Sequence, residues 1–163
     1  MIFLTVGTQF PFDRLVKSVD EEISQNGFEE EIFAQISDSS YQPCNFEYVK
    51  SLEKSEFDYW TLKASAIIGH AGVGTITMAL DRNKPLLVMP RLKKYGEVVN
   101  DHQVAIARKF EELGLVLVAY SMEQLPEKIK QLRTFMPKTR GNQTQLVSQR
   151  ISKFLNKLSV SGK

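Results

Sequence analysis

Two periods of apolar residues alternate along this chain. Ile2-Phe3-Leu4-Thr5-Val6 is a continuous β-prone run that stops at Gly7-Thr8, which predicts a buried strand. Pro11 then suits the first turn of a helix, with Phe12, Leu15, Val16, Val19 and Ile23 recurring at spacings of three and four until Gly27. Asp13, Arg14, Lys17, Asp20 and Glu21 take the opposite face. The pattern goes on to predict short strands over 31–36 and 45–49, a helix over about 56–63, and a buried strand over 64–68 closed by Gly69. A helix over 75–81, a strand bracketed by Pro85 and Pro90, a polar loop, a helix over 101–113 stopped by Gly114 and a strand over 115–118 follow. Ser121 with Gln124 three residues later resembles a capping box opening a helix to about 133. A last helix is predicted at about 142–158, with Leu146, Val147, Ile151, Phe154, Leu155 and Leu158 on one stripe.

Strands alternating with helices predict an α/β fold, a single Rossmann-like open and mostly parallel sheet with helices on both faces. The 163 residues suit one domain, and no internal repeat divides them. A hydrophobic fraction of 42% and a charged fraction of 25% are ordinary for a globular protein and exclude wholesale disorder. No apolar run approaches the roughly 20 residues of a membrane span, and no secretory leader is expected. With Cys44 as the only cysteine, a reducing, cytoplasmic setting is expected. The net charge of +2 conceals an asymmetry. From Lys128 onward there are nine basic residues and no acidic one, so the preceding part is acidic. A basic end on an acidic body predicts an anionic counterpart, either a partner surface or lipid headgroups. Nucleic acid is not expected, since no recognition helix or stacking platform is evident.

In an open parallel sheet, ligands sit beyond the carboxyl ends of the strands. Three segments fall there: Gly7-Thr8-Gln9, the turn His70-Ala71-Gly72-Val73-Gly74-Thr75, and the loop from Arg91 to Gln103. The turn is the sharpest signal. Its glycines let backbone approach a ligand, and the N–H groups of the helix that follows suit a phosphate or diphosphate. It is neither a dinucleotide fingerprint nor a P-loop, for no acidic residue follows at the required distance and no Gly-Lys-Ser/Thr occurs. His70, His102 and Cys44 have no metal-ligand spacing, so no metal and no cofactor are expected.

The blocks 1–16 (MIFLTVGTQFPFDRLV), 69–90 (GHAGVGTITMALDRNKPLLVMP) and 96–114 (GEVVNDHQVAIARKFEELG) resemble the donor-binding half of GT-B glycosyltransferases of family 28. Within it they are most similar to the small soluble subunits of split transferases. These are the cytosolic subunit of the eukaryotic UDP-N-acetylglucosamine transferase acting on dolichol-linked sugar, and bacterial exopolysaccharide and capsule subunits of the PssE type. The resemblance implies a UDP-sugar donor. Its diphosphate would lie on the 70–75 turn and Gly7-Thr8-Gln9, and its uracil near Tyr48 and Val49. The sugar would lie against Arg91, Glu97, Asn100, Asp101, His102 and Gln103. Larger relatives carry an acidic ribose-binding residue where this chain has Met78, so ribose binding is expected to differ or to use Thr77 or backbone groups.

The resemblance further implies metal-independent inverting transfer, with a membrane-anchored partner holding a polyprenyl-linked acceptor. The chain would then work at the inner face of the membrane, docked through its basic last helix. His70, Asp13 and Glu97 are eligible general bases by type. A non-catalytic subunit that enhances a partner transferase is the alternative from another class.

Overall fold

The computed structural model describes residues 1–27 and 30–138. The expected last helix lies outside the described residues. Six strands form one sheet: β1 (Ile2–Thr5), β2 (Ile32–Gln35), β3 (Glu47–Val49), β4 (Ala66–His70), β5 (Leu86–Met89) and β6 (Leu117–Val118). All five strand pairings are parallel, in the order β3-β2-β1-β4-β5-β6. Helices α1 (Asp13–Asn26), α2 (Lys54–Lys63), α3 (Val73–Asp81) and α4 (His102–Glu112) lie between strands and α5 (Leu125–Leu132) follows the last one, with single 3-10 turns at Lys93–Tyr95 and Met122–Gln124. The expected α/β sheet with both faces covered is present.

Continuous apolar strands make such a sheet because both faces are buried. Ile2, Leu4 and Ile68 pack with Leu15, Val16 and Val19 of α1 and with Leu125, Ile129 and Leu132 of α5. On the other face, Ile67, Leu86 and Val88 meet Ile76 and Ala79 of α3 and Ile106, Ala107 and Phe110 of α4. Helix α2 covers that face over β1 and β2, where Phe57 meets Phe3 edge-on at 5.4 Å and Trp60 stacks on Phe33 at 3.9 Å. The buried carboxylate of Asp20 holds the loop between β2 and β3 by accepting from Tyr41 Oη at 2.7 Å and from the Asn45 N–H at 2.8 Å.

Two local expectations need correction. Strand β4 does not close at Gly69 but runs through His70, whose Cα pairs with Met89. Ser121 does not open a helix through a capping box. Gln124 Oε1 accepts from the Tyr120 N–H at 2.9 Å, the backbone makes a 3-10 turn, and α5 starts at Leu125 with a proline in its first turn. Pro126 lacks an N–H and fits that first turn, which moves the start of the helix past the motif.

The strand order reverses direction at β1. The chain steps outward from β1 to β3, then returns to place β4 on the other side of β1. The loops leaving β1 and β4 therefore diverge, which opens a crevice at their carboxyl ends.

Candidate functional site

That crevice is a cleft of about 710 Å³ running across the strand ends. Its floor is the turn after β4. The first helical bond of α3 runs from the Ile76 N–H to Gly72 O at 3.0 Å, and among the described residues no side chain caps the helix. The N–H groups of Val73, Gly74 and Thr75 stand outside the helical ladder at the positive end of the helix dipole.

The glycines around this turn have different duties. Gly7 sits at φ 76°, and a Cβ on it would meet His70 Cε1 at 2.8 Å. A Cβ on Gly72 would come within 2.3 Å of His70 Nε2. The His70 ring is thus seated between the two loops, and only residues without a side chain leave it room. Gly74 has nothing within 4 Å of a would-be Cβ and faces open cleft. Burial, with the nearby Arg91 guanidinium, pushes the His70 pKa down to about 4, against a hydrogen bond with the Thr5 backbone. The imidazole is neutral at pH 7, with Nδ1 3.4 Å from Thr75 Oγ1.

Side chains fix the loop after β1. Gln35 accepts from Thr5 Oγ1 at 2.6 Å and donates through Nε2 to Gly7 O at 3.1 Å. Arg91, only 3% exposed, donates through Nη2 to Val6 O at 2.7 Å and Phe10 O at 2.5 Å. Its own N–H donates to Gln103 Oε1 at 3.1 Å. Burial pushes the Arg91 pKa down to about 10, with Glu97 opposing, so it stays cationic at pH 7. Its buried Nε has no hydrogen-bond partner among the described residues.

Most of the residues expected from the sequence come together here. Gly7, Thr8, Gln9, His70, Gly72, Val73, Gly74, Thr75, Arg91, Asn100, His102 and Gln103 all line the cleft. Six do not. Ala71 is fully buried among α3, α4 and β5, because the chain turns inward there and its N–H donates to Met89 O. Tyr48 packs against the apolar core on the α1 face, and Val49 O accepts from the Ile36 N–H within the sheet. Asp101 Oδ1 accepts from the Lys93 N–H at 2.7 Å. Asp13 and Glu97 face a separate depression on the other side of the Gly7–Pro11 loop.

Both of these carboxylates are already engaged. Asp13 accepts from the hydroxyls of Ser39 and Ser40 and from the Ser40 N–H. Burial raises its pKa, and these hydrogen bonds outweigh that and hold it below the usual carboxylate value. Glu97 takes both forks of Arg14 and the Leu92 N–H. Thr77 is diverted too, as its hydroxyl donates to Val73 O at 2.9 Å within its own helix.

Sequence reading missed the end of the cleft under β3 and α2. Leu52, Lys54 and Phe57 line it there, with Gln35 behind and Met78 across. Strand periodicity drew attention to Tyr48 and Val49, whereas the wall forms only after the chain turns into α2. Lys54, in the first turn of that helix, has no ion-pair partner among the described residues and was the one available signal. Among the described residues no carboxylate is part of the lining, which instead gathers Lys54, Arg91 and the uncapped α3 terminus. Chemically the arrangement suits an anion with an apolar group on one side.

The profile of the glycosyltransferase family 28 C-terminal domain matches residues 1–158. The chain belongs to that family. A UDP-N-acetylglucosamine transferase subunit ALG13 of Cryptococcus neoformans is 35% identical over 85 residues, which is 51% of this chain and 40% of that protein. This chain therefore spans under half the length of the curated relatives it matches. Among solved structures, MurG of Acinetobacter baumannii superposes with a TM-score of 0.61 at 21% identity, over 93% of this chain and 49% of that one. A solution structure of ALG13 superposes with a TM-score of 0.54 at 22% identity, over 85% and 86% of the two chains. At these identities the two structures bear on the fold alone, which they share.

Proposed function

We propose that this chain is a nucleotide-sugar-binding domain, the donor-binding subunit of a two-subunit UDP-sugar glycosyltransferase. The observation that carries the reading is the uncapped N-terminus of α3, opening into a cleft that is free of carboxylates and bears cations. Strand order sets the layout of the ligand. Leu52 and Phe57 at the β3 end take the base, and the 72–75 turn at the β4 end takes the diphosphate. The Arg91–Gln103 loop at the β5 end takes the sugar. Tyr48 and Val49 leave this layout, and Met78 faces the ribose as an apolar neighbour.

In inverting transfer an acceptor hydroxyl attacks the anomeric carbon and the UDP–sugar bond breaks. Charge builds on the departing β-phosphate, where the N–H groups of Val73, Gly74 and Thr75 meet it without a bound cation. The hydroxyl proton needs a base within reach. His70, neutral and enclosed between two loops, suits a hydrogen-bonding role toward the diphosphate better than proton abstraction. The base then comes from the partner that binds the acceptor. We assign that partner to the membrane, holding a polyprenyl-diphosphate-linked saccharide of exopolysaccharide or capsule assembly. The transferred hexose is galactose, glucuronic acid or N-acetylglucosamine, and the ALG13 relative makes N-acetylglucosamine the first to test. Among the described residues no helix is long and apolar enough to cross a membrane, so in this reading membrane association runs through the partner or the basic last segment.

Calorimetric titration of the chain with UDP, with and without Mg²⁺, tests the reading. A Gly74→Val variant is the control, because its side chain enters empty cleft and leaves His70 in place. Binding that ignores Mg²⁺ and weakens at least about tenfold in the variant supports a donor site at the α3 terminus. Undiminished binding by the variant removes the turn from the site. Absence of UDP binding, repeated with the co-expressed partner, favours a non-catalytic enhancer.

A further inference from the structure

Glu97 fails as a ligand or base because of what holds it, and that contact shapes one wall of the cleft. Arg14, in the first turn of α1, donates from Nε to Glu97 Oε1 at 2.8 Å and from Nη2 to Oε2 at 2.9 Å. Its Nη2 also donates to Pro90 O at 2.9 Å, at the end of β5. The guanidinium lies between two rings, 5.2 Å from Phe12 and 4.8 Å from Tyr95. Both charged side chains are nearly buried, at 9% and 10% exposure. Glu97 Oε2 in turn accepts from the Leu92 N–H at 2.8 Å, which closes the loop on itself. The segment from Leu92 to Glu97 is thereby fastened to α1 and β5. The next three residues, Val98, Val99 and Asn100, line the cleft.

We propose that Arg14 and Glu97 are positioning residues for the sugar end of the donor. They set the course of the 98–100 segment without touching the ligand. The inference rests on the donor reading above. It predicts an asymmetry between the partners. Glu97 also faces the Arg91 guanidinium, which lies 5.1 Å from the Phe12 ring. Neutralising Glu97 leaves two buried cations without their anion, whereas removing Arg14 leaves Glu97 with Arg91 and the Leu92 N–H. Lysine at position 14 keeps a charge and loses the two-pronged geometry.

The test titrates the full chain and the variants Glu97→Gln, Arg14→Met and Arg14→Lys with UDP, UDP-N-acetylglucosamine and UDP-glucose. Hydrogen exchange at the Leu92 amide is followed in parallel. Expected is a loss of the extra affinity contributed by the sugar, about tenfold in Glu97→Gln, less in Arg14→Met and least in Arg14→Lys, while affinity for UDP alone changes less than about threefold. Leu92 exchange accelerates in the same order, and it reports on the clamp without any ligand. Equal weakening of UDP and UDP-sugars makes the pair merely structural and overturns the assignment, as does an unchanged sugar increment or unchanged Leu92 protection. Failure of the wild-type chain to bind UDP is a different result, which removes the donor reading and this assignment with it.

Discussion

The two walls of the cleft are held in different ways. The wall after β1 and β4, though tied by hydrogen bonds from Gln35 and Arg91, is closed by shape: one imidazole fills the gap between Gly7 and Gly72, and either glycine would collide with it if given a Cβ. The wall after β5 is held by charge, through a buried ion pair joining residues 83 positions apart in the chain. Shape gives a phosphate-sized cradle with little freedom, suited to a group common to all nucleotide donors. Charge secures a longer loop at a few points, and its intervening residues can differ in structure without disturbing the cradle. In the proposed donor reading, the variable part of a donor, its sugar, is assigned to the second wall.

The largest effect expected from breaking this contrast is on the charged wall. Removing one partner of a buried pair strands the other, so Glu97→Gln should lower unfolding free energy by about 3 kcal/mol in urea denaturation. Next comes the shaped wall. Gly72→Val and Gly7→Ala must displace His70, and Gly7→Ala adds strain at positive φ, for a cost of about 2 kcal/mol each and loss of UDP binding.

Acidification probes the same wall. The His70 pKa is lowered to about 4 from a usual 6.5, so between those values the unfolded chain binds more protons than the folded one. Stability from this group is therefore nearly complete above pH 6.5 and falls as pH drops toward 4, by roughly 3 kcal/mol. A His70→Gln variant should flatten the pH dependence of urea midpoints in this window. An unchanged slope would show that the ring is not buried as a neutral group. The smallest effect on stability, under about 1 kcal/mol, is expected for Gly74→Val, whose Cβ would have nothing within 4 Å. A larger loss there would mean that the turn is packed more tightly than the open space around Gly74 implies.

The shaped wall was also the legible one. Ile2–Thr5 followed by glycine, and Ala66–His70 followed by Gly72, announce strand ends through local pattern alone, and the chemistry of a bare helix terminus follows from its backbone. Ala71 departs from the expectation because one residue within a glycine turn can face the core while both neighbours face the cleft. Tyr48 and Val49 fall outside the cleft because β3 is only three residues long, and the lining at that end comes from Leu52 and from Lys54 and Phe57 of the helix after it. Asp13 and Glu97 looked available as bases because charge type can be read from a sequence and partners cannot.

Residue order by itself determined the alternation of strands and helices and the position of the glycine turn, since each is set by pattern within a few residues, and that alternation in turn implied a parallel sheet. Only the tertiary structure decided which carboxylates are occupied, that His70 stays neutral, and that the β5 loop is fastened through Arg14. Those outcomes depend on burial and on charges brought together from distant parts of the chain. Low local dielectric makes such contacts strong, and only the completed fold creates it.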